Sequence, residues 1–103
     1  MEINLLAGQN LIKKKNFGDA LNIFRSLIKS NNKNKIIYFY LGLVYFELNN
    51  YDKSIYFYNK YLKNYPNSIS ALLNLAIIAQ SSGKIDSAKF FYLKVISLDD
   101  TKI

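Results

Sequence analysis

Cysteine and histidine are both absent from this chain of 103 residues. Without cysteine the chain can form no disulfide framework and no reactive thiolate, which is compatible with a reducing environment, and we predict a cytoplasmic protein. Without histidine it lacks the commonest general base and metal ligand. The adjacent acids Asp99 and Asp100 fall at a predicted helix end, where a solvated turn is a better interpretation than a cation site. We therefore predict no metal, no cofactor and no enzymatic activity.

Long hydrophobic runs are also missing. The longest uninterrupted apolar run covers residues 36–46, whereas a helix needs about 20 apolar residues to span a bilayer. The first 15 residues do not have the order of a signal peptide, because their lysines follow the apolar part instead of preceding it. The sequence thus predicts no membrane span.

Negative charge is scarce, since seven acids stand against 13 lysines and one arginine, for a net charge of +7. One interpretation is a surface for an acidic partner, such as nucleic acid or an anionic membrane. The other is compositional, because lysine, asparagine, isoleucine and tyrosine are all abundant and all have A/T-rich codons. A nucleic-acid surface more often carries arginine, whose planar group binds phosphate through two hydrogen bonds, and Arg25 is the only arginine. We therefore disfavour nucleic acid as the partner.

Proline occurs once, at Pro66, near the end of the most informative stretch, residues 35–68. Apolar runs at residues 36–48 and 55–62 flank a polar break, and a proline cannot continue a helix. The stretch therefore predicts a helix, a short turn, a second helix and a stop. Taken alone, residues 36–46 are rich enough in β-branched and aromatic side chains to form a strand, but internal repetition favours a helix.

Comparing the chain with itself at an offset of 34 residues aligns small residues with small ones and large apolar residues with large apolar ones. The aligned triplets are Gly8, Gly42 and Ala76; Ala20, Ser54 and Ala88; and Phe24, Tyr58 and Tyr92. Three such units cover residues 1–34, 35–68 and 69–102. Antiparallel helices can cross closely only where a side chain is nearly absent on each, so we predict a close crossing at Gly42 and Ser54, with Tyr58 beside it.

This pattern resembles the tetratricopeptide repeat family over essentially the whole chain. In the middle unit the family motif is represented by Tyr38, Leu41, Gly42, Tyr45, Ser54, Tyr58, Tyr61 and Pro66. Tyr38 stands where tryptophan is usual, and Ser54 and Tyr61 stand where alanine is usual. The resemblance implies an all-α fold, a right-handed α-solenoid of three helix-turn-helix units with six helices, in a single domain over residues 1–103. The framework positions that it implies are Gly8, Ala20, Phe24, Leu41, Gly42, Tyr45, Ser54, Tyr58, Pro66, Ala76, Ala88 and Tyr92.

Capping signals suggest the limits of the helices within this register. We predict first helices at residues 2–15, 35–48 and 69–82, and second helices at residues 19–30, after residue 52, and at residues 86–98. Asp52, Ser68 and Asp86 are the predicted N-caps, because a short polar side chain can accept from the first amides of a helix, and Gly18 takes that position in the first unit. Gly83 fits the left-handed residue that ends a helix.

In tetratricopeptide arrays the first helix of each unit lines a concave groove, so the resemblance also implies a binding surface. The implied groove residues are Leu5, Ile12, Ile36, Phe39, Leu43, Phe46, Leu73, Ile77 and Gln80. Some family members clamp the acidic C-terminal tails of heat-shock chaperones with lysines, asparagines and an arginine at the fifth and ninth positions of the units. Those positions here are Leu5, Gln9, Phe39, Leu43, Leu73 and Ile77. The charge-assisted donors are missing, and we predict no carboxylate clamp.

Because this groove is apolar, we predict a protein–protein interaction scaffold that binds an apolar or amphipathic peptide or helix, the helix-in-groove mode. The alternative is a self-associating, homo-oligomeric module or a fragment of a longer repeat protein. Ile103 would be the first residue of a fourth unit, so another copy or further repeats would cover the open end. The sequence leaves open which protein or peptide is the partner.

Overall fold

Six α-helices account for most of residues 4–100, the part of the chain that the computed structural model describes, with the side chain of Asp100 excepted. They are α1 (Leu5–Lys13), α2 (Phe17–Lys29), α3 (Ile36–Glu47), α4 (Tyr51–Asn64), α5 (Ile69–Ser81) and α6 (Ile85–Asp100). No strand occurs between residues 4 and 100. The predicted all-α solenoid is confirmed. The predicted helix start at residue 2 and the predicted role of Ile103 lie outside the described residues.

Each helix packs chiefly against its neighbours in the sequence. Contacts join α1 to α2 and continue in order to α6, and α3 also contacts α5. Because the connections are short, successive helices run antiparallel. The contact between α3 and α5 places the first helices of these two pairs on the same side of an elongated molecule of 44 × 29 × 22 Å.

The same turn follows the first helix of all three pairs. Lys15, Asn49 and Gly83, at intervals of 34 residues, have φ values of 61°, 62° and 77°. Their N–H groups each donate to the carbonyl oxygen three residues earlier, at 2.9, 3.0 and 3.1 Å. Gly83 adopts this left-handed conformation without steric cost, as predicted, whereas the side chain of Lys15 makes the same conformation cost about 1–2 kcal/mol.

Asparagine side chains start two of the second helices. The Oδ1 atom of Asn16 accepts a hydrogen bond of 3.4 Å from the N–H of Asp19 in α2, and Asn50 accepts one of 3.3 Å from Lys53 in α4. A short polar side chain at this position satisfies one of the amides that a helix leaves unpaired. Both helices therefore begin one residue after these asparagines, earlier than predicted.

The predicted N-caps Gly18, Asp52 and Asp86 are wrong. All three lie inside the first turn of α2, α4 and α6. There the carboxylates of Asp52 and Asp86 interact favourably with the helix dipole. The predicted cap Ser68 is confirmed, because its Oγ accepts a hydrogen bond of 3.3 Å from the N–H of Ala71 at the start of α5.

Two clusters of buried side chains form the core. The first joins α2 to α3 and contains Ala20, Phe24, Leu27, Ile37, Leu41, Val44 and Tyr45. The second joins α4 to α5 and contains Tyr58, Ala71, Leu75 and Ile78. In both clusters the second helix of one pair meets the first helix of the next. Apolar burial, at about 25 cal/mol per Å², therefore holds successive pairs to each other.

Helices α3 and α4 cross closely at Gly42. A Cβ atom added there would lie 2.8 Å from the ring of Tyr58, closer than close-packed side chains allow. The Oγ of Ser54 donates a buried hydrogen bond of 2.6 Å to the carbonyl oxygen of Gly42. In the first pair a Cβ at Gly8 would lie 2.5 Å from the ring of Phe24. Both crossings thus depend on glycine, and both rings are fully buried.

Candidate functional site

The predicted groove lies on the first helices of the pairs, of which α3 is the most apolar. Its only charged residue is Glu47, at its C-terminal end. A helix needs a single apolar stripe to face the core. Since Ile37, Leu41 and Val44 already supply that stripe, α3 has apolar side chains in excess of what the core requires.

Residues Leu5 and Ile12 of α1 are half-buried and pack against the first core cluster. Between them, the Nε2 atom of Gln9 donates a hydrogen bond of 2.7 Å to the hydroxyl of Tyr40. This bond joins α1 to α3 and occupies the amide nitrogen of Gln9. Part of the predicted surface on α1 therefore serves the packing of α1 itself.

Phe39 and Phe46 are also half-buried, and they pack against the second core cluster. The ring centroid of Phe39 lies 5.6 Å from that of Tyr58 and 5.3 Å from that of Tyr61. The ring of Phe46 lies 5.7 Å from that of Tyr51. Edge-on and tilted ring contacts at such distances are stabilising. The structure thus engages both phenylalanines with α4.

Of the remaining predicted groove positions, only Ile77 and Gln80 are more open. Ile36, Leu43 and Leu73 are half-buried, and Ile77 is 41% exposed. Gln80 is exposed, and its Oε1 accepts a hydrogen bond of 2.9 Å from a tyrosine hydroxyl of α6. The most accessible part of the predicted groove therefore lies on α5, and the half-buried aliphatic residues Leu43 and Leu73 extend it along α3 and α5.

The phenol of Tyr58 is buried in the fold and hydrogen-bonded to Asn74. Burial raises the pKa of Tyr58 well above its ordinary value, and the negative charge of Glu47 acts in the same direction. The hydrogen bond from Asn74 lowers it, because Nδ2 donates to the phenol oxygen at 2.9 Å and favours the phenolate. Through this hydrogen bond Tyr58 connects α4 with α5.

A basic aromatic surface on α3 and α4 is not predicted from the sequence. The ammonium groups of Lys35 and Lys60 lie 5.7 and 5.4 Å from the ring centroid of Tyr38, and that of Lys53 lies 5.4 Å from the ring centroid of Tyr45. Such contacts stabilise by about 0.5–1 kcal/mol at exposed sites. The spacing of three residues between Lys35, the N-cap residue of α3, and Tyr38 in its first turn is the signal that could have indicated it. Part of the positive charge is thus used within the fold.

Two clefts open at the helix connections, with volumes of about 440 and 560 Å³. Residues 31–35 line much of the first cleft, and residues 49–52 line much of the second. Neither contains a residue of the predicted groove. Among residues 4–100, no three acidic side chains are grouped as a metal site would need. Over the same residues, no helix has both the length and the apolar character required to cross a membrane.

Sequence profiles described as tetratricopeptide repeat match residues 5–69 and 57–90. The first match covers more than half of the sequence, and the chain therefore belongs to the tetratricopeptide repeat family. The fold of this family is typically a non-enzymatic interaction scaffold, which supports a general role in protein–protein interaction.

Curated relatives match this chain over part of their longer sequences. The TPR repeat-containing protein MJ0263 of Methanocaldococcus jannaschii is 37% identical over 65 residues, which cover 61% of this chain and 20% of that protein. The TPR repeat-containing protein MJ1428 of the same organism is 32% identical over 84 residues, which cover 82% of this chain and 15% of that protein. The uncharacterized protein ycf37 of Guillardia theta is 30% identical over 84 residues, which cover 82% of this chain and 46% of that protein. The chain thus spans less than half the length of these relatives.

Solved structures of MamA share this fold. A crystal structure of MamA superposes with a TM-score of 0.82 at 24% identity, covering 92% of this chain and 56% of that one. The MamA RS-1 ArsTM double mutant superposes with a TM-score of 0.83 at 22% identity, covering 92% and 53%. At this level of identity the likeness shows the arrangement of the helices.

Proposed function

We propose that the chain binds an apolar or amphipathic helix of a partner protein along α3 and α5, through Leu43, Leu73 and Ile77. The observation that carries this proposal is the surplus of aliphatic side chains on two first helices that contact each other, with Ile77 41% exposed. Covering such side chains is favourable by about 25 cal/mol per Å² of apolar surface. A partner helix would therefore gain most of its affinity from aliphatic contact.

The polar groups along this surface support apolar recognition over carboxylate recognition. The amide nitrogen of Gln9 is engaged with Tyr40, and Gln80 is engaged with α6. Phe39 and Phe46, which are held by ring contacts with α4, would supply a rigid base. A helix with apolar residues at i, i+3, i+4 and i+7 matches a surface of this chemistry.

The test uses a fluorescein-labelled amphipathic helix of about 18 residues with leucines at that spacing, titrated with the protein and followed by fluorescence anisotropy. Because Ile77→Asp would bury a carboxylate without a partner, we expect binding at least about tenfold weaker than that of the unsubstituted chain. Phe90→Asp is the matched control, since Phe90 is 62% exposed on the second helix α6 and lies outside the proposed surface. Circular dichroism establishes that both variants are folded.

Two results would contradict the proposal. One is equal affinity of Ile77→Asp and the unsubstituted chain for the peptide. The other is equal affinity for a peptide of the same composition with its leucines in scrambled order.

A further inference from the structure

A second surface of the molecule lies on α6 and follows a pattern that recurs in every pair. The second helices direct four positions, spaced by four, three and four residues, toward the helix that follows. In α2 these are Phe17, Leu21, Phe24 and Ile28, and in α4 they are Tyr51, Ile55, Tyr58 and Leu62. We call such a set of four a seam. Spacings of three and four keep the set on one face of a helix.

The aromatic residues Phe24 and Tyr58 of the first two seams are covered by the next helix of the chain. The ring of Phe24 in α2 stacks on that of Tyr40 in α3 with a centroid distance of 5.3 Å. Tyr58 in α4 accepts the hydrogen bond from Asn74 in α5. Phe24 and Tyr58 are both 0% exposed. A covering helix therefore completes each of these seams.

The third seam, formed by Ile85, Lys89, Tyr92 and Ile96 of α6, is open. Ile85 and Ile96 are 53% and 55% exposed, Lys89 is exposed, and Tyr92 is half-buried. No helix follows α6 within residues 4–100. The isoleucines of this seam are therefore more exposed than their counterparts in the other two pairs, where Phe17, Tyr51 and Leu62 are half-buried and Ile28 is 37% exposed.

In either direction along α6 the seam begins and ends with isoleucine and has the same spacings. Only its two middle residues, Lys89 and Tyr92, exchange places. When two copies of α6 lie antiparallel about a two-fold axis, Ile85 of each faces Ile96 of the other, and Lys89 of each faces Tyr92 of the other. A two-fold interface requires this relation, because residue i contacts j while j contacts i. Antiparallel packing is also the arrangement of α2 with α3 and of α4 with α5.

The residues fit a second copy better than they fit another helix of the α3 or α5 type. At the position of Lys89 the covered seams have the half-buried Leu21 and Ile55, so an aliphatic cover would partly desolvate the ammonium group and offer it no partner. Against the tyrosine of a second copy, the ammonium group can lie over an aromatic ring while its methylene stem covers apolar surface. The chain already places Lys35, Lys53 and Lys60 over tyrosine rings at 5.3–5.7 Å.

The N-terminal helix of a second copy is a poorer cover. Toward the first seam, α3 presents the buried Leu41 and Val44, and α5 presents Leu75 and Ile78 at the same positions toward the second. By the 34-residue spacing, α1 has Ala7 and Asn10 there, and both are exposed. Head-to-tail stacking would therefore bury a polar side chain and little apolar surface.

We propose that two copies of this chain form a two-fold dimer through the seam of α6, with Ile85 packed on Ile96 and Lys89 over Tyr92 across the axis. This surface is separate from the groove on α3 and α5. The dimer leaves the helix-binding surface of each copy accessible to a partner.

Disulfide cross-linking tests the register, and it is clean because the natural chain has no cysteine. Chains carrying Ile85→Cys are mixed with chains carrying Ile96→Cys and oxidised mildly. We expect the mixture to yield at least about tenfold more covalent dimer than either variant alone, because identical positions would lie about 16 Å apart along the paired helices, beyond the reach of a disulfide. Both substituted residues are exposed, so the fold should persist. Failure of the mixture to cross-link, or equal cross-linking of one variant alone, would overturn the proposal.

Light scattering behind a sizing column tests the dimer itself. The mass of the unsubstituted chain should rise from 11.9 kDa toward twice that value as the loading concentration increases. Ile96→Asp should hold the mass near 11.9 kDa, whereas Phe90→Asp, on the same helix and 62% exposed but about a third of a turn from the seam, should dimerise like the parent. A parent that stays monomeric at every concentration, or an Ile96→Asp variant that dimerises as well as the parent, would sink the idea.

The two proposals fail separately. Ile77→Asp should weaken peptide binding and leave the dimer intact. Ile96→Asp should prevent the dimer and leave peptide binding unchanged. A single substitution that abolished both would show that peptide and second copy share one surface, which contradicts the seam proposal.

Discussion

The middle and last helix pairs place different side chains at the same crossing. In the middle pair, Gly42 faces the ring of Tyr58, which is fully buried beneath α5. In the last pair, Ala76 stands in place of the glycine, and the corresponding ring, Tyr92, is half-buried. Within residues 4–100 no helix follows α6, and the hydroxyl of Tyr92 is bonded to Gln80 of α5, so we expect its ring to shift more readily around the methyl group of Ala76. The ring of Tyr58 lies between α3 and α5, so it cannot shift in this way.

We infer from this difference that the space at a crossing is determined by the next pair as well as by the pair itself. Repeat arrays are stabilised by contacts between adjacent units, and here the adjacent unit fixes the position of the ring against which the glycine packs. We therefore expect the residue at the crossing to be most restricted in size in a pair whose second helix is covered by the next pair. It should be less restricted in a pair whose second helix is not covered.

The largest expected difference between the two pairs comes from deleting the rings. Tyr58→Ala should lower the free energy of unfolding by about 3–5 kcal/mol, because it empties a buried site and leaves Asn74 without its partner. Tyr92→Ala should cost less than about half as much, since part of that ring is already in water. Urea unfolding followed by circular dichroism measures both. Equal losses for the two variants would contradict the comparison.

A smaller effect is expected at the glycine of the covered crossing. Gly42→Leu should lower the free energy of unfolding by about 1–3 kcal/mol or more, because bulk at this point forces α3 and α4 apart. Gly18→Ala is the control, since a Cβ there meets no atom within 4 Å; it should stabilise the helix by about 0.5–1 kcal/mol. If Gly42→Leu melts at the temperature of the parent, the close crossing is not present in solution.

The smallest expected effect appears at alkaline pH. Because the pKa of Tyr58 is raised in the folded state above its ordinary value of 10.0, its contribution to stability is full below pH 10.0 and is lost as the pH rises through the folded-state pKa. Tyr58→Phe should therefore melt below the parent at neutral pH, having lost the bond to Asn74, and this gap should narrow above pH 10.0. Melting curves of both proteins from neutral to alkaline pH test this prediction. A difference in melting temperature that does not change with pH would exclude a contribution from the ionisation of Tyr58.

Much of the fold follows from the sequence because the repeat imposes the same small and large positions three times. The starts of the second helices do not follow from the sequence. Asparagine and aspartate are both good N-caps, and Asn50 and Asp52 lie only two residues apart, so the backbone geometry decides which of them caps the helix. For the candidate site, spacing identifies which residues belong to the first helices. It does not show that Phe39 and Phe46 turn toward α4, since ring orientation depends on packing with residues distant in the chain.

The neighbour-to-neighbour order of helix contacts also has a consequence for folding kinetics. Because each helix meets chiefly the helices before and after it, few contacts require the closure of a long loop, and chains of this kind fold fast, on a scale of about microseconds to milliseconds. Such a chain can nucleate at any pair and lengthen in either direction. The middle pair, with neighbours on both sides, should exchange its amide hydrogens last, and opening should begin at the ends.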